Sequence, residues 1–250
     1  MEAYTSFASV YDIFMDNIPY DEWAKYVVTI LKKYQIEDGL VLDLGCGTGT
    51  LTELLSQQGY DMIGIDNSED MLEVAMDKRI QSEYDILYLL QDMREFELYG
   101  TVRAIVSICD SINYITEDQE LLTVFQLVNN YLDPKGIFLF DFNTTYKYKE
   151  ILGDQTIAES REDCSFIWNN YYDESENMNE YELHLFLKEH DNYYRKYEEI
   201  HIQKAYELSR VKELIEKAGM LFITACDADT KEMPTELSQR IYVIAQEQGK

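Results

Sequence analysis

The sequence predicts an α/β protein: a doubly wound parallel sheet with a small antiparallel sheet inserted late in the chain. Three observations lead there. The stretch "VLDLGCGTGTL", Val41 to Leu51, has the pattern of a buried strand, a tight glycine turn and the start of a helix. From there to about residue 145, strand-like and helix-like segments alternate, as parallel strands joined by crossover helices require. Between residue 146 and about 206 the alternation gives way to tyrosine-rich stretches bounded by turn signals, as antiparallel strands would be.

Taken in order, residues 1 to 34 are aromatic-rich, with a break at Pro19 and a helical pattern from Asp21 through Trp23, Val27, Ile30 and Leu31. The first strand and its helix, roughly Thr48 to Gln58, end at Gly59. "YDMIGIDNS" is a second strand ending in Asp66, and Ser68 caps a helix with Glu69 and Asp70 in its first turn. "YDILYLLQDM" forms a third strand leading to Asp92 and Met93; "VRAIVSIC" forms a fourth, with Asp110, Ser111 and Asn113 just beyond it. A helix from about Asp118 to Tyr131 and the turn "LDPKG" introduce a fifth strand, "GIFLFDFN". "SFIWNNYYD", "YELHLFLKEH" and "YYRKYEEIHIQKAY" supply the inserted sheet, while "LSRVKELIEKAG", "MLFITACDA" and "QRIYVIAQEQ" supply a last helix and two final strands. The expected domains are a core of residues 1–145 and 207–250 and a β lid of residues 146–206.

Composition narrows the function. The chain has 250 residues and 46% hydrophobic composition, enough for a full core. No basic segment followed by an apolar run opens it, and no stretch reaches the roughly 18 apolar residues of a membrane helix, so a soluble cytoplasmic protein is expected. Cys46, Cys109, Cys164 and Cys226 are far apart, with no C-x-x-C pair and no histidine at ligand spacing, so neither a metal site nor a disulfide framework is expected. A formal charge of −27 repels polyanions, and the short basic pairs Lys147 with Lys149 and Arg195 with Lys196 are embedded among acids. Nucleic acid is a disfavoured partner.

The glycine turn points to a ligand, since glycines permit positive φ and close approach, and the following helix offers unpaired N–H groups. The dinucleotide pattern G-x-G-x-x-G would need a glycine where Thr50 stands, and Asp43 just before the turn suits a cationic ligand better than a pyrophosphate. Asp66, at the end of the second strand, is where doubly wound folds place the carboxylate that binds ribose hydroxyls.

Asp43, Gly45, Gly47 and Gly49 match in full the D/E-x-G-x-G-x-G motif of the class I S-adenosylmethionine-dependent methyltransferases, which the chain resembles over nearly its whole length. The resemblance implies a Rossmann-like seven-stranded sheet whose last strand is antiparallel. It implies that the loop Gly45, Cys46, Gly47 and Gly49 wraps the methionine end of S-adenosyl-L-methionine, with Asp43 near its ammonium. It further implies Asp66 at the ribose, Asn67 beside it among the cofactor-binding residues, Met71 near the adenine, and Asp92 and Met93 at the adenine edge. Tyr11, in the "YD" pair with Asp12, would lie over the cofactor pocket, and "CDSINYI" looks like the family's methyl-transfer region, placing Asp110 there.

The expected reaction is in-line methyl transfer to a small molecule, leaving S-adenosyl-L-homocysteine. If the acceptor must lose a proton, Asp110, His184 and His201 are the candidate bases. The alternatives are a non-catalytic sensor or scaffold for the same cofactor and, less well matched, a nicotinamide-dependent oxidoreductase. A monomer or homodimer is expected.

Overall fold

A computed structural model describes residue 4, residues 7–82 and residues 84–249. The helices are α1 (Ala8–Phe14), α2 (Tyr20–Lys33), α3 (Thr50–Gln57), α4 (Glu69–Ser82), α5 (Asp118–Tyr131) and α6 (Leu208–Lys217). The strands of the main sheet are β1 (Gly39–Leu44), β2 (Tyr60–Asp66), β3 (Leu87–Leu90), β4 (Val102–Ser107), β5 (Leu132–Asn143), β10 (Met220–Asp227) and β11 (Arg240–Glu247). Those of the insert are β6 (Thr156–Ser160), β7 (Cys164–Asp173), β8 (Met178–His190) and β9 (Tyr193–Lys204).

The seven main strands run in the order β10-β11-β5-β4-β1-β2-β3. β1 pairs in parallel with β2 and β4, and β4 with β5, while β11 slots antiparallel between β5 and β10. Chain order reverses beside β1, whose neighbours are β2 and β4. That is the switch point where doubly wound sheets hold ligands. β1 is buried from Val41 to Leu44, as a central strand covered on both faces must be.

Two cores cover the two faces. Leu42, Phe125, Phe138, Phe140 and Leu214 belong to one, beneath α5 and α6. Val41, Leu55, Ala75, Val27 and Leu31 belong to the other, beneath α2, α3 and α4. α2 shows how sequence selects this arrangement: Ala24, Val27, Val28, Ile30 and Leu31 make one apolar stripe, with Asp21 and Glu22 at its N-terminus and Lys32 and Lys33 at its C-terminus complementing the dipole.

The inserted sheet is antiparallel in the order β6-β7-β8-β9. The chain leaves the core at Thr144 and returns at Tyr206, which bridge one another. The Asn113 side-chain amide ties exit to return by donating to the carbonyls of Asn143 (3.0 Å) and Lys204 (2.7 Å). Phe166, Leu183 and Leu185 of this sheet pack on Val10 and Phe14 of α1.

The structure differs from the sequence reading at several places. α3 starts at Thr50, not Thr48, because Gly49 adopts φ 75° and is still part of the turn. "LDPKG" is already inside β5, with a register shift opposite Val102 to Ala104. The insert begins with a π-helical turn, Lys147–Leu152, and gains β6, neither of which the sequence pattern signalled. Among the described residues no helix is long and apolar enough to cross a membrane.

Candidate functional site

A cavity of about 630 Å³ opens at the carboxyl ends of β1, β2, β3 and β4. Its floor is the glycine loop. Gly45 N–H and Cys46 N–H both donate to the Ile65 carbonyl, at 2.8 and 2.9 Å, which seats the loop on the end of β2. Gly45 has φ 80°, and a Cβ there would lie 2.7 Å from the Ser111 side chain, so only glycine fits. At Gly47, φ 54°, a Cβ would meet nothing within 4 Å. The loop is thus tight below and open to the cavity above.

Three acids surround it. Asp43 is buried and accepts a hydrogen bond from the Thr52 hydroxyl at 2.7 Å. Burial pushes its carboxyl up to about 7, with the nearby Asp66 charge adding to the rise and Thr52 opposing it. Asp66 accepts the N–H of Gly47 at 2.8 Å and that of Ser68 at 2.9 Å, joining glycine loop, β2 end and α4 start through one carboxylate. Burial raises its pKa too, against those backbone donors. Asp92 is clasped by Arg94, whose guanidinium reaches it at 2.6 Å and whose backbone N–H donates at 2.8 Å. Burial works against the Asp92 charge, but Arg94 outweighs it and holds this carboxyl below the ordinary range.

Of the residues singled out in the sequence, Asp43, Gly45, Cys46, Gly47, Asp66, Asn67, Met71, Asp92, Met93 and Tyr11 all line this one cavity. Gly49 lies at the α3 start, where a Cβ would collide with Tyr88. Asp110, expected at the methyl-transfer region and among the candidate bases, stands apart from this lining. Its neighbours Cys109 and Ser111 line the cavity, but it does not. Its own oxygens are taken by Arg240 at 2.8 Å and by the Gln203 amide at 2.9 Å. Cys109 and Asp110 have φ 74° and 53°, and buried Asp141 holds this strained pair by accepting both N–H groups. Asp110 therefore anchors the end of β4 to β9 and β11.

His184, another of the candidate bases, also lies outside the lining of this cavity. On β8, Tyr181, Leu183 and Leu185 face inward, so alternation turns His184 outward, where its Nδ1 is 3.5 Å from exposed Glu198. His201, on β9, faces inward and is buried, with Nδ1 3.0 Å from the Tyr114 hydroxyl. It stands behind two cavity-lining tyrosines, hydrogen-bonded to Tyr114 and edge-on to the Tyr4 ring at 4.7 Å.

The sequence reading missed Tyr4 and Tyr114, which with Tyr11 and Tyr20 form an aromatic wall of the cavity, the Tyr4 ring meeting those of Tyr11 and Tyr114. It also missed Asp12 as a latch: its carboxylate accepts the Thr48 hydroxyl at 2.7 Å and pairs with Lys78 at 2.5 Å, fastening α1 onto the loop. The "YD" pair was the available signal.

The residues present fit an adenosyl cofactor with a cationic amino-acid end. The cavity volume is that of a small-molecule site, Gly47 leaves space where a ligand must approach backbone, and acids stand at the loop and at the ends of β2 and β3.

Comparison with known proteins agrees. The family model described as "Methyltransferase domain" matches residues 41–136. A relative from Bacillus subtilis (strain 168), named "Putative methyltransferase YqeM", is 36% identical over 97% of this chain and 96% of its own. The dTDP-3-amino-3,4,6-trideoxy-alpha-D-glucopyranose N,N-dimethyltransferase of Streptomyces venezuelae is 31% identical over 54% of this chain and 56% of its own. The same fold is seen in the crystal structure of an S-adenosylmethionine-dependent methyltransferase from Clostridium acetobutylicum ATCC 824, with a TM-score of 0.88, 24% identity, and 99% and 100% of the two chains covered. Identity of this order over nearly the whole of both chains carries the family with it: this protein belongs to the class I S-adenosylmethionine-dependent methyltransferases and takes S-adenosyl-L-methionine as its cofactor.

Proposed function

We propose that the enzyme methylates a small-molecule acceptor, which enters against the tyrosine wall under a lid formed by residues 146–206. The observation that carries this reading is the lining of the cavity by four tyrosines, Tyr4, Tyr11, Tyr20 and Tyr114, together with the glycine loop. A wall of this kind suits a compact acceptor and excludes water. The Streptomyces venezuelae relative, named for a sugar amine, supports the same class. The opposing view of a macromolecular polyanion as acceptor finds little support: Lys149, Arg195 and Lys196 are each paired with a glutamate.

The cofactor supplies an electrophilic methyl on sulfur; the protein aligns, shields and neutralises. In this proposal the loop Gly45 to Gly49 holds the methionine end and Asp43 its ammonium. Asp66 and Asn67 hold the ribose, while Met71, Asp92 and Met93 hold the adenine. Tyr11 closes the pocket from α1. Asp92 would do this while still held by Arg94, since a carboxylate has acceptor capacity for more than one donor. The reaction needs no secretion, and a cytoplasmic location is proposed with it.

The test is a screen of amines, hydroxyl compounds and amino-sugar nucleotides, beside protein and RNA pools, following S-adenosyl-L-homocysteine formation. Turnover with one of the small molecules is expected. Turnover confined to the macromolecular pools would overturn the proposal.

A further inference from the structure

Behind the tyrosine wall lies a chain of polar groups that the cofactor site does not use. The Tyr4 hydroxyl is 2.7 Å from the Tyr114 hydroxyl, which is 3.0 Å from His201 Nδ1; His201 Nε2 is in turn 3.3 Å from Glu199. Glu199 is buried and also accepts the N–H of Tyr4 at 2.8 Å and of Phe7 at 2.9 Å. These groups come from three places in the chain: the N-terminal segment, the 3-10 turn Ser111–Tyr114, and two alternate inward positions of β9.

The direction of the bonds follows from the chemistry of the partners. A carboxylate only accepts, so His201 carries its hydrogen on Nε2. In the neutral ring Nδ1 is then an acceptor, and Tyr114 must donate to it. The Tyr114 oxygen, having spent its proton there, accepts from Tyr4. The series therefore ends at the Tyr4 oxygen, in the cavity, with lone pairs to offer.

We infer that Tyr4, Tyr114, His201 and Glu199 form a proton relay that draws a proton from the acceptor during methyl transfer, so that the acceptor is an N–H or O–H compound. This rests on the methyltransferase reading and narrows its acceptor class. As the acceptor's lone pair bonds to the methyl carbon, the electron pair of the broken C–S bond stays on sulfur. The acceptor proton passes to the Tyr4 oxygen, the Tyr4 proton to Tyr114, and the Tyr114 proton to His201 Nδ1. The positive charge that began on sulfur ends on an imidazolium facing the Glu199 carboxylate, and the proton leaves to water when the site opens. Tyr4 is the catalytic residue; Tyr114, His201 and Glu199 act through it.

The surroundings are compatible with this traffic. Burial keeps both phenols protonated, Tyr4 and Tyr114 each standing well above the usual tyrosine value, so they pass protons on without accumulating charge. Burial also opposes the Glu199 charge, but His201 and the N–H groups of Phe7 and Tyr4 prevail and hold it below the ordinary glutamate value. Other titratable groups facing the relay are Tyr11, edge-on to the Tyr4 ring, Tyr181, paired across from His201 on β8, and Asp110 and Cys109 at the end of β4. Asp110 is committed to Arg240.

The first test is ¹⁵N NMR of the full chain labelled at histidine and saturated with S-adenosyl-L-homocysteine, with His201→Gln assigning the resonance. An Nε2–H tautomer is expected, and Tyr114→Phe, which removes one oxygen, should shift the Nδ1 resonance while product affinity stays within about twofold. An Nδ1–H tautomer, or no shift in the variant, overturns the relay. The second test uses the acceptor that the screen identifies. Tyr4→Phe and Tyr114→Phe should lower kcat by about 100-fold to 10,000-fold, far more than they change KM, and erase the acidic limb of the kcat–pH profile. Parent-like kcat and pH profile in both variants would overturn the relay and leave the methyltransferase reading standing. Failure of the parent to bind S-adenosyl-L-homocysteine would instead strike that reading.

Discussion

Asp66 offers the sharpest separation between holding the fold and holding the cofactor. Its carboxylate accepts the Gly47 N–H at 2.8 Å and the Ser68 N–H at 2.9 Å, leaving acceptor capacity for ribose hydroxyls in the cavity. Asp66→Ala removes a charged acceptor whose hydrogen bond to a ligand is worth roughly 1.5 to 3 kcal/mol, so cofactor affinity should fall about 10-fold to 150-fold. Stability should fall by less. Burial already raises the Asp66 pKa, which means that the apo fold bears a cost for this charge, and removing it offsets part of the loss of the two backbone bonds. Asp66→Asn keeps one acceptor oxygen and should lie between parent and Ala. Calorimetric titration with S-adenosyl-L-methionine, beside thermal unfolding of each apo protein, gives both quantities. An Asp66→Ala protein that binds the cofactor as tightly as the parent would refute the reasoning.

Other expectations follow from the same geometry. The Asp43 carboxyl is raised to about 7, above its unfolded value, so its contribution to apo stability is full below about pH 4 and is lost as pH rises through about 7. A cationic ligand end beside Asp43 favours its charged form, so cofactor affinity should rise with pH toward about 7 and flatten above; affinity independent of pH between 5 and 8, by titration in several buffers, would contradict this. Gly45→Ala meets Ser111 at 2.7 Å as well as an unfavourable φ, whereas Gly59→Ala, φ 96°, meets nothing within 4 Å. Gly59→Ala should lose roughly 1 to 2 kcal/mol of stability in denaturant unfolding and Gly45→Ala more, and only Gly45→Ala should lose cofactor affinity, by about tenfold or more. Asp12→Ala unlatches α1 from Thr48 and Lys78, a partly exposed contact worth about 1 kcal/mol, so affinity should drop by roughly fivefold and amide exchange in α1 should quicken.

Most residues singled out around the glycine loop and the first three strand ends line one cavity because they are local in sequence. Asp43, the three loop glycines and Asp66 follow one another through a strand, a turn, a helix and a strand, and topology alone then brings Asp92 to the next strand end. The fold was legible for the same reason, down to a final strand that runs antiparallel. What sequence concealed was set by long-range packing. Asp110 had the right position after β4, but Arg240 pairs with it from 130 residues away. The three histidines of the insert could be told apart only once strand phase was known: His201 turns in, His184 turns out, and His190 sits at the exposed end of β8. Tyr4 and Tyr114 look like ordinary aromatic residues until the β9 strand brings His201 behind them. β6 gave no signal, because a short edge strand with four of its five residues exposed has no apolar alternation to display.

The most direct measurement of the central claim is a crystal structure with S-adenosyl-L-homocysteine. The ribose diol should sit on Asp66, the adenine between Met71 and Met93 with its edge toward Asp92, and the amino-acid end over Gly45 to Gly49 beside Asp43. The sulfur should then face the wall of Tyr4, Tyr11, Tyr20 and Tyr114. A nucleoside bound away from the glycine loop, or one whose sulfur points away from those tyrosines, would contradict it.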